Sequence, residues 1–225
     1  MDSILVVTAT EIEMSYVADF RSNFVQGEVK RRGGFLYLVT GIGIINSAIF
    51  LTKAILENKK VKGVINLGIA GSFNEEKFPV GEVVLVEEEI WGEFGIKENK
   101  ILSCKKLGFP LGILGKEKIW NRLVLEPEKS MNKLGLEANF EKRAKSLTVS
   151  TVTGDQENEK LLKENFAPDI ENMEGFSLAW VCKLMDLPFL EIRVVSNLVG
   201  EKRKESWNLK GALKKLKEVS KSILE

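Results

Sequence analysis

The stretch FLYLVTGIGIINSAIFLTKAILEN, residues 35–58, contains the signals that decide the fold. Its first six residues, FLYLVT, are apolar, aromatic or β-branched and predict a strand. Gly41 and Gly43 then interrupt the chain, and from Ile44 to Asn58 apolar residues recur at spacings of three and four, as on one face of a helix. A strand, a short turn and a helix form the repeating unit of an α/β protein.

The same alternation runs through the rest of the chain. Further strands are predicted at ILVVT (4–8), GVINLG (63–68), EVVLVEE (82–88), LTVSTV (147–152) and PFLEIRVVS (188–196), and further helices at 11–20, 158–165, 174–185 and 210–224. Several of these strands are continuously apolar, which is typical of strands buried on both faces. We therefore predict an α/β fold, a three-layer α/β/α sandwich with a central mixed, largely parallel sheet.

The size of the chain favours one domain. With 225 residues, 44% of them hydrophobic, residues 1–225 are expected to form a single domain around one core. The segment from Trp91 to Lys145 is rich in Gly, Lys and Glu and has weak periodicity, so we expect a long excursion near an active site.

Composition excludes several classes of function. Thirty-three basic and 32 acidic residues give a net charge of +1, so neither nucleic acid nor an anionic membrane is an expected partner. No apolar run approaches the length of a spanning helix. The separated Cys104 and Cys182 and the start MDSILVVTA, which lacks a basic leader segment, predict a reduced, cytoplasmic protein. Since there is no histidine, acid–base chemistry falls to carboxylates, Lys, Tyr or Cys.

Two glycine motifs mark the ends of predicted strands. VTGIGIINSA (39–48) and INLGIAGSF (65–73) put small residues where α/β sheets bind ligands, and free N–H groups in such turns bind anions. Asn46 stands where a dinucleotide-binding motif would need its third glycine. Tight-turn geometry alone explains the glycines equally well.

Three acidic residues are candidates for chemistry. Glu11 and Glu13 follow the first strand, where acids commonly cap a helix or complement its dipole; being two residues apart, at most one of them is expected to enter a pocket. Glu174, in ENMEGFSLAW (171–180), stands where a strand passes into an apolar helix. A buried carboxylate there is costly unless it is paired or functional, and a helix cap is again the alternative.

In chain order the motifs are TATEIE, GIG with NSA, NLGIAG, STVTG, NMEG and RVVSNLVG. This order resembles the purine nucleoside phosphorylase and nucleosidase superfamily, in its methylthioadenosine nucleosidase branch, and most of all the futalosine hydrolases. The resemblance runs from Ile4 to about Trp207. It implies that water cleaves the N-glycosidic bond of a purine nucleoside, futalosine, to hypoxanthine and dehypoxanthine futalosine in menaquinone biosynthesis, with no metal or organic cofactor.

The resemblance also implies roles for individual residues. Glu13 corresponds to the water-activating carboxylate and Glu11 to a neighbouring acidic position. The substrate-binding positions are the ribose-binding Met173 and Glu174, the base-flanking Val152 and Thr153, and Ala70 and Gly71 beside the ribose and water. Relatives commonly dimerise, so a homodimer is expected. The cation that meets the substrate's carboxylated tail is left open between Lys202, Arg203 and a residue of a partner subunit.

Asn197 is assigned to the purine base, as a catalytic residue. Adenine-specific relatives carry Asp at this position. A neutral amide accepts a hydrogen bond from a protonated N7 with its carbonyl and donates one to an exocyclic O6 with its NH2. This pattern favours hypoxanthine, and leaving a buried polar group unpaired for the wrong base discriminates by roughly 10⁴-fold.

Three alternatives remain beside this interpretation. A phosphorylase of 6-oxopurine nucleosides would need cations for phosphate, yet TATEIEM and INLGIAGSF contain neither Arg nor Lys, and a carboxylate at Glu13 would repel phosphate. Another substrate, such as inosine, methylthioadenosine or aminodeoxyfutalosine, is the second alternative. A non-enzymatic nucleoside sensor is the third, although binding alone would not require both Glu13 and Glu174.

Overall fold

The computed structural model describes residues 3–18, 24–98, 101–201 and 203–224. The strands in these ranges are β1 (Ser3–Thr8), β2 (Val29–Arg32), β3 (Phe35–Val39), β4 (Val61–Ser72), β5 (Val83–Trp91), β6 (Ile96–Glu98), β7 (Ile101–Ser103), β8 (Gly112–Leu114), β9 (Glu117–Ile119), β10 (Arg122–Val124), β11 (Arg143–Thr148), β12 (Ile170–Asn172) and β13 (Phe189–Leu198). The α-helices are α1 (Glu11–Val17), α2 (Ile44–Glu57), α3 (Pro127–Leu134), α4 (Gln156–Phe166), α5 (Gly175–Leu184) and α6 (Leu209–Leu224).

The main sheet is mixed. Its strands follow the order β10-β5-β11-β12-β4-β1-β3-β2, and β13 pairs with both β4 and β5. Parallel pairs are β1–β3, β1–β4, β4–β13, β5–β11 and β11–β12, whereas β2–β3, β4–β12, β5–β10 and β5–β13 are antiparallel. Since β13 joins β4 to β5 on one side and β11 and β12 join them on the other, these five strands close into a ring.

Helices cover both faces of the sheet. Successive side chains of a strand point to opposite faces, so Ile4 and Val6 of β1 pack in a core with α1, α3 and α6. Leu5 and Val7 pack in a second core with α2 and α5. Each fully buried apolar side chain of this kind contributes roughly 1.5–3 kcal/mol. The predicted three-layer α/β/α fold is confirmed.

Two predicted elements end earlier than expected. The strand predicted at 147–152 is wrong in its second half, because β11 ends at Thr148. There the N–H and hydroxyl of Ser150 donate to the Glu93 carboxylate, at 2.8 and 2.5 Å, instead of to a neighbouring strand. Helix α1 ends at Val17. Residues 19 and 20, the last two of the predicted helix 11–20, lie outside the described residues.

The segment predicted as one long excursion is not a single loop. It contains the hairpins β6–β7 and β8–β9, then β10 and α3. Met131 and Leu134 of α3 are buried in the same core as α1 and α6. At its beginning, a cavity of about 550 Å³ beside the candidate site is lined by Gly92, Glu93, Gly95, Lys97 and Leu102. Most of this segment is therefore part of the scaffold.

Two remaining expectations concern cysteines and membranes. Cys104 and Cys182 are free thiols, and burial raises the pKa of the Cys182 thiol, which suppresses its reactivity. Among the described helices, none has the length and apolarity needed to cross a bilayer.

Candidate active site

A cavity of about 290 Å³ opens where β1, β4 and β13 end and α5 begins. Seven of the eight predicted site residues line it: Glu13, Ala70, Gly71, Val152, Met173, Glu174 and Asn197. These positions come from five separate parts of the chain. The fold therefore brings together side chains whose proximity no local pattern reveals.

Glu174 does not cap its own helix. It occupies the N-cap position of α5 without a side-chain hydrogen bond to that helix. The side-chain oxygen of Asn172 performs the capping, accepting from the N–H groups of Glu174 and Gly175 at 2.8 and 2.6 Å. The Glu174 carboxylate instead accepts from the N–H of Gly43 at 3.0 Å and lies 3.9 Å from Nη1 of Arg193. The helix-cap alternative for Glu174 is therefore wrong.

The environment of Glu174 brings the pKa of its carboxyl group close to neutral pH. Burial raises the pKa of this carboxyl group to about 7. The Arg193 guanidinium and the Gly43 N–H oppose the rise because they stabilise the charged form, while the charges of Glu13 and Glu191 add to it. Glu174 can therefore exist in both protonation states at ordinary pH.

The glycine turn before α2 binds an anion, as its sequence suggested, and that anion is the protein's own carboxylate. Gly43 has a φ of 90° and Gly41 a φ of 84°, in the region that favours glycine. The Gly43 N–H at the start of α2 points at Glu174, where the helix dipole favours negative charge. The hydroxyls of Ser47 and Ser177, 2.6 Å apart, join α2 to α5 and hold this contact.

Glu13 takes part in the capping box of α1 and also lines the cavity. One carboxylate oxygen accepts from the N–H and hydroxyl of Thr10, at 3.0 and 2.7 Å, in a capping box. The other accepts from the N–H of Ile69 in β4 at 3.1 Å. Glu11 is exposed and does not line the cavity, which confirms that only one of the two acids enters it.

Ser196 and Asn197 both line the cavity although they are consecutive in a strand. Consecutive side chains normally face opposite sides of a sheet. The β4–β13 register shifts here, since Val195 pairs with Ala70 and Asn197 pairs with Gly71. This irregularity leaves Ser196 as an extra residue, and such bulges redirect side chains.

The Asn197 amide is held by its neighbours with hydrogen-bonding capacity to spare. Its side-chain oxygen accepts from the Ser196 hydroxyl at 2.7 Å, and its NH2 donates to the carbonyl of Leu198 at 3.0 Å. An amide oxygen has two lone pairs and an NH2 group two hydrogens. One acceptor and one donor position therefore remain. Gly71 permits this placement, because a Cβ there would lie 3.1 Å from the amide nitrogen.

Val152 and Thr153 differ in their contact with the candidate site. Val152 lines both this cavity and the neighbouring larger one, whereas Thr153 lines the neighbouring one and not this one. The N–H and hydroxyl of Thr153 donate to the carboxylate of Glu171 at 3.0 and 2.5 Å. Glu171 in turn lines the candidate site, and burial raises the pKa of its carboxyl group. Thr153 therefore contacts Glu171, a residue that lines the candidate site, without lining that site itself.

The sequence that builds this site matches a known protein family and two named relatives. A sequence model described as the phosphorylase superfamily matches residues 4–225. The chain belongs to the phosphorylase superfamily. Within it, futalosine hydrolase of Thermus thermophilus is 31% identical over 223 residues, covering 98% of this chain and 94% of that protein. Futalosine hydrolase of Streptomyces coelicolor is 30% identical over 225 residues, covering 93% and 90%.

A solved structure agrees with the fold of this phosphorylase superfamily member. The native structure of futalosine hydrolase from Helicobacter pylori has a TM-score of 0.74 at 17% identity, covering 99% of this chain and 97% of that one. The family model and the two full-length relatives confirm the resemblance drawn from the sequence motifs.

Sequence reasoning missed two large residues of the site in this superfamily member. Arg193 is 2% exposed and lines the cavity. A lone arginine in the apolar strand EIRVVS was the available signal, since arginine is rarely buried unless paired. Trp207 also lines the cavity, and its local sequence contains no pattern that indicates a place in the site. Of the predicted tail cations, Arg203 is absent from the lining, and Lys202 lies outside the described residues.

Proposed function

We propose that the protein is an N-glycosyl hydrolase that uses water to convert futalosine to hypoxanthine and dehypoxanthine futalosine, and thereby acts in menaquinone biosynthesis. The convergence of Glu13, Glu174 and Asn197 on one cavity carries this proposal. Two full-length relatives named futalosine hydrolase support the choice of substrate. The whole chain, residues 1–225, acts as one domain in this proposal.

The two carboxylates have separate tasks. Breaking the bond between the anomeric carbon and the purine gives an oxocarbenium-like sugar, which a nearby carboxylate stabilises. Glu13 takes the proton of the attacking water, and its hydrogen bonds to Thr10 and Ile69 hold it in place. Glu174 accepts from the ribose hydroxyls and orients the sugar, which is worth several orders of magnitude when geometry is fixed. Met173, beside it, packs against the sugar.

The base is recognised by Asn197. Its remaining acceptor position takes the proton-bearing N7 of the leaving purine, and its remaining N–H donates to O6. Ser196 fixes the orientation by donating to the amide oxygen. Val152 covers the base from the loop after β11, and Ala70 and Gly71 leave room for the ribose and the water.

The charges of the cavity favour water over phosphate. Its described lining contains three acids, Glu13, Glu171 and Glu174, and one base, Arg193. The guanidinium is already engaged, since it lies 2.8 Å from Glu191 and 3.9 Å from Glu174. A phosphate dianion would therefore meet an excess of negative charge. The missed arginine does not turn the site into a phosphorylase site.

We also infer that the protein is a homodimer and that the partner subunit supplies part of the tail-binding site. Ile45, Ile49 and Leu56 form an exposed apolar stripe on α2, each more than half exposed. The stripe continues to Ile42, which lines the cavity. A second copy seated there would cover both the stripe and the cavity mouth, and light scattering coupled to size-exclusion chromatography tests this.

The deciding assay uses the purified protein with futalosine, aminodeoxyfutalosine, inosine and methylthioadenosine, each with and without phosphate. Chromatography of the released base gives the outcome. Hypoxanthine from futalosine in phosphate-free buffer is expected. Strict dependence on phosphate would identify a phosphorylase, faster release from another nucleoside would change the substrate, and binding without release would identify a sensor.

A further inference from the structure

Two carboxyl groups lie beneath the candidate site without lining it. Glu89 in β5 and Glu191 in β13 are both 0% exposed. Burying an ionised carboxylate costs several kcal/mol unless charge and hydrogen bonds compensate. The proposed cleavage uses neither residue, so their presence in the core requires another explanation.

Glu191 anchors the buried arginine. Its Oε1 accepts from Nε of Arg193 at 2.8 Å and lies 2.8 Å from Nη2. The Asn66 amide donates to the same oxygen at 3.2 Å. The third nitrogen of the guanidinium, Nη1, donates to the carbonyl of Ile69 at 3.3 Å and faces Glu174 at 3.9 Å. Glu191 thus fixes which edge of Arg193 meets the ribose-binding carboxylate.

Glu89 is tied to the residues that position α5. The Thr148 hydroxyl donates to one of its oxygens and the Asn172 amide to the other, both at 2.7 Å. Asn172 is the residue that caps α5, and Thr148 accepts from the N–H of Phe176 in the first turn of that helix. A change at Glu89 would therefore reach the helix that carries Glu174.

The two carboxyl groups are in contact. Their Oε1 atoms lie side by side against Gly175. Two ionised carboxylates this close repel each other, whereas a proton on one of them lets it donate a hydrogen bond to the other. Oε2 of Glu191 is buried and has no donor among the described residues, so Glu191 has unused hydrogen-bond acceptor capacity in the core. Gly175 lies against both groups, and a Cβ at this position would overlap Oε1 of each.

The balance of charge also favours a proton on this pair. Four carboxyl groups, those of Glu13, Glu89, Glu174 and Glu191, act on the single guanidinium of Arg193. Burial and the charge of Glu191 raise the pKa of Glu89 well above its ordinary value. Burial also raises the pKa of Glu191, but Arg193 opposes that rise. Because Arg193 contacts Glu191 directly, the charge is favoured on Glu191 and a proton on Glu89, within a titration that belongs to the pair.

We propose that Glu89 and Glu191 share one proton and act together as positioning residues, holding Arg193 so that its free edge orients Glu174. This role rests on the proposed function of the site. The protonated pair and Arg193 are neutral together, so the charge facing the sugar is that of Glu13 and Glu174. Neutralising Glu191 would leave Arg193 unbalanced beside the developing oxocarbenium charge and draw it toward Glu174.

The first test needs no substrate. Infrared difference spectra of the ligand-free protein at pH 8.5 should show the band of a neutral carboxylic acid in the wild type, and Glu89→Gln should lose it. Glu88→Gln is the matched control, since Glu88 neighbours Glu89 in β5 and pairs with Arg122 at the surface. An unchanged band in Glu89→Gln would overturn the shared proton, whatever the substrate of the enzyme.

The second test is kinetic. Glu191→Gln should lower kcat by about 10- to 100-fold with little change in KM, as expected when transition-state contacts are displaced. Its acidic limb in kcat/KM should move to lower pH, because unbalanced Arg193 favours ionised Glu174. Glu89→Gln, whose amide still donates to Glu191, should lose less activity than Glu191→Gln, and Glu88→Gln should match the wild type.

Three outcomes distinguish the positioning role from a purely structural role, from a folding defect and from failure of the proposed function. Equal losses in Glu89→Gln and Glu191→Gln with an unmoved pH limb would indicate a purely structural role and overturn the positioning role. If Glu191→Gln does not fold, as judged by circular dichroism, the infrared comparison decides. A wild type inactive on every nucleoside would refute the proposed function and with it the positioning role, while the infrared result would still decide on the proton.

Discussion

The carboxylate of Glu174 accepts a hydrogen bond at 3.0 Å from the backbone N–H of Gly43, which lies 131 residues earlier in the chain. Gly43 is the N-cap residue of α2, so the contact places a negative charge at the positive end of a 14-residue helix. A ribose ligand bound by Glu174 would thus be aligned by two helices at once. The orientation of this carboxylate depends on the docking of α2 against α5.

Glu174→Gln tests the ribose contact. We expect kcat/KM to fall by about 100-fold or more, because an amide offers the sugar hydroxyls one acceptor in place of a charged carboxylate. We expect the wild type to show an acidic limb near pH 7 because the pKa of Glu174 is raised to about 7, and this limb should vanish in the variant. Steady-state kinetics from pH 5 to 9 provide the measurement, and a limb that persists unchanged would assign it to another group.

Stability should depend on pH through the same residue. The pKa of Glu174 is raised from 4.5 to about 7, so between these values the folded protein holds a proton that the unfolded chain has released. The free energy of unfolding should therefore fall as pH rises from about 4.5 to 7, by at most about 3 kcal/mol from this group. Urea unfolding of the wild type and Glu174→Gln should show a shallower decline in the variant, and parallel curves would contradict this account.

Glu13→Gln tests the water-activating base. The variant should fold, since one amide oxygen still accepts from Ile69 or Thr10, but turnover should drop by about 100-fold or more because an amide takes no proton from water. Weakening the capping box should cost about 1 kcal/mol of stability. Glu11→Gln, at an exposed position of the same helical turn, is the control. Near wild-type turnover in Glu13→Gln would remove this residue from the mechanism.

Asn197→Asp tests base recognition. A carboxyl group at this position accepts from an exocyclic amine, so the ratio of kcat/KM values should shift toward 6-amino purines, by about tenfold or more. Competition between futalosine and aminodeoxyfutalosine, followed by the ratio of hypoxanthine to adenine released, measures the shift. An unchanged ratio would mean that another residue reads position 6 of the purine.

Gly175→Ala tests the space above the buried carboxyl pair. Because a Cβ there would overlap Glu89 and Glu191, the substitution should destabilise the fold by about 1–3 kcal/mol. Gly34→Ala is the control, since a Cβ at Gly34 meets no atom within 4 Å. Thermal unfolding of both variants gives the comparison. Equal melting temperatures would mean that the carboxyl groups can move aside.

Local patterns predicted the principal elements well and the short ones poorly. Strands β1, β3, β4, β5 and β13 and helices α2, α4, α5 and α6 lie close to their predicted positions, because their apolar periodicity extends over several residues. Hairpins β6–β7 and β8–β9 have strands of three residues each. Such strands are too short to show an alternating pattern. Helix α3 is an amphipathic eight-residue helix set among polar residues, and its burial came from contacts distant in sequence.

The sequence by itself determined the order of the principal strands and helices, the presence of Glu13 and Glu174 at strand ends, and the neutral amide at Asn197. Residue type and periodicity are local properties, so they can be read along the chain. Only the tertiary structure decided the partners. The Glu174 carboxylate accepts from the Gly43 N–H, and Arg193 lies between Glu191 and Glu174. Glu89 is buried beside Glu191. Burial and the distances between charges set the ionisation of these groups, and both arise only when remote segments pack together.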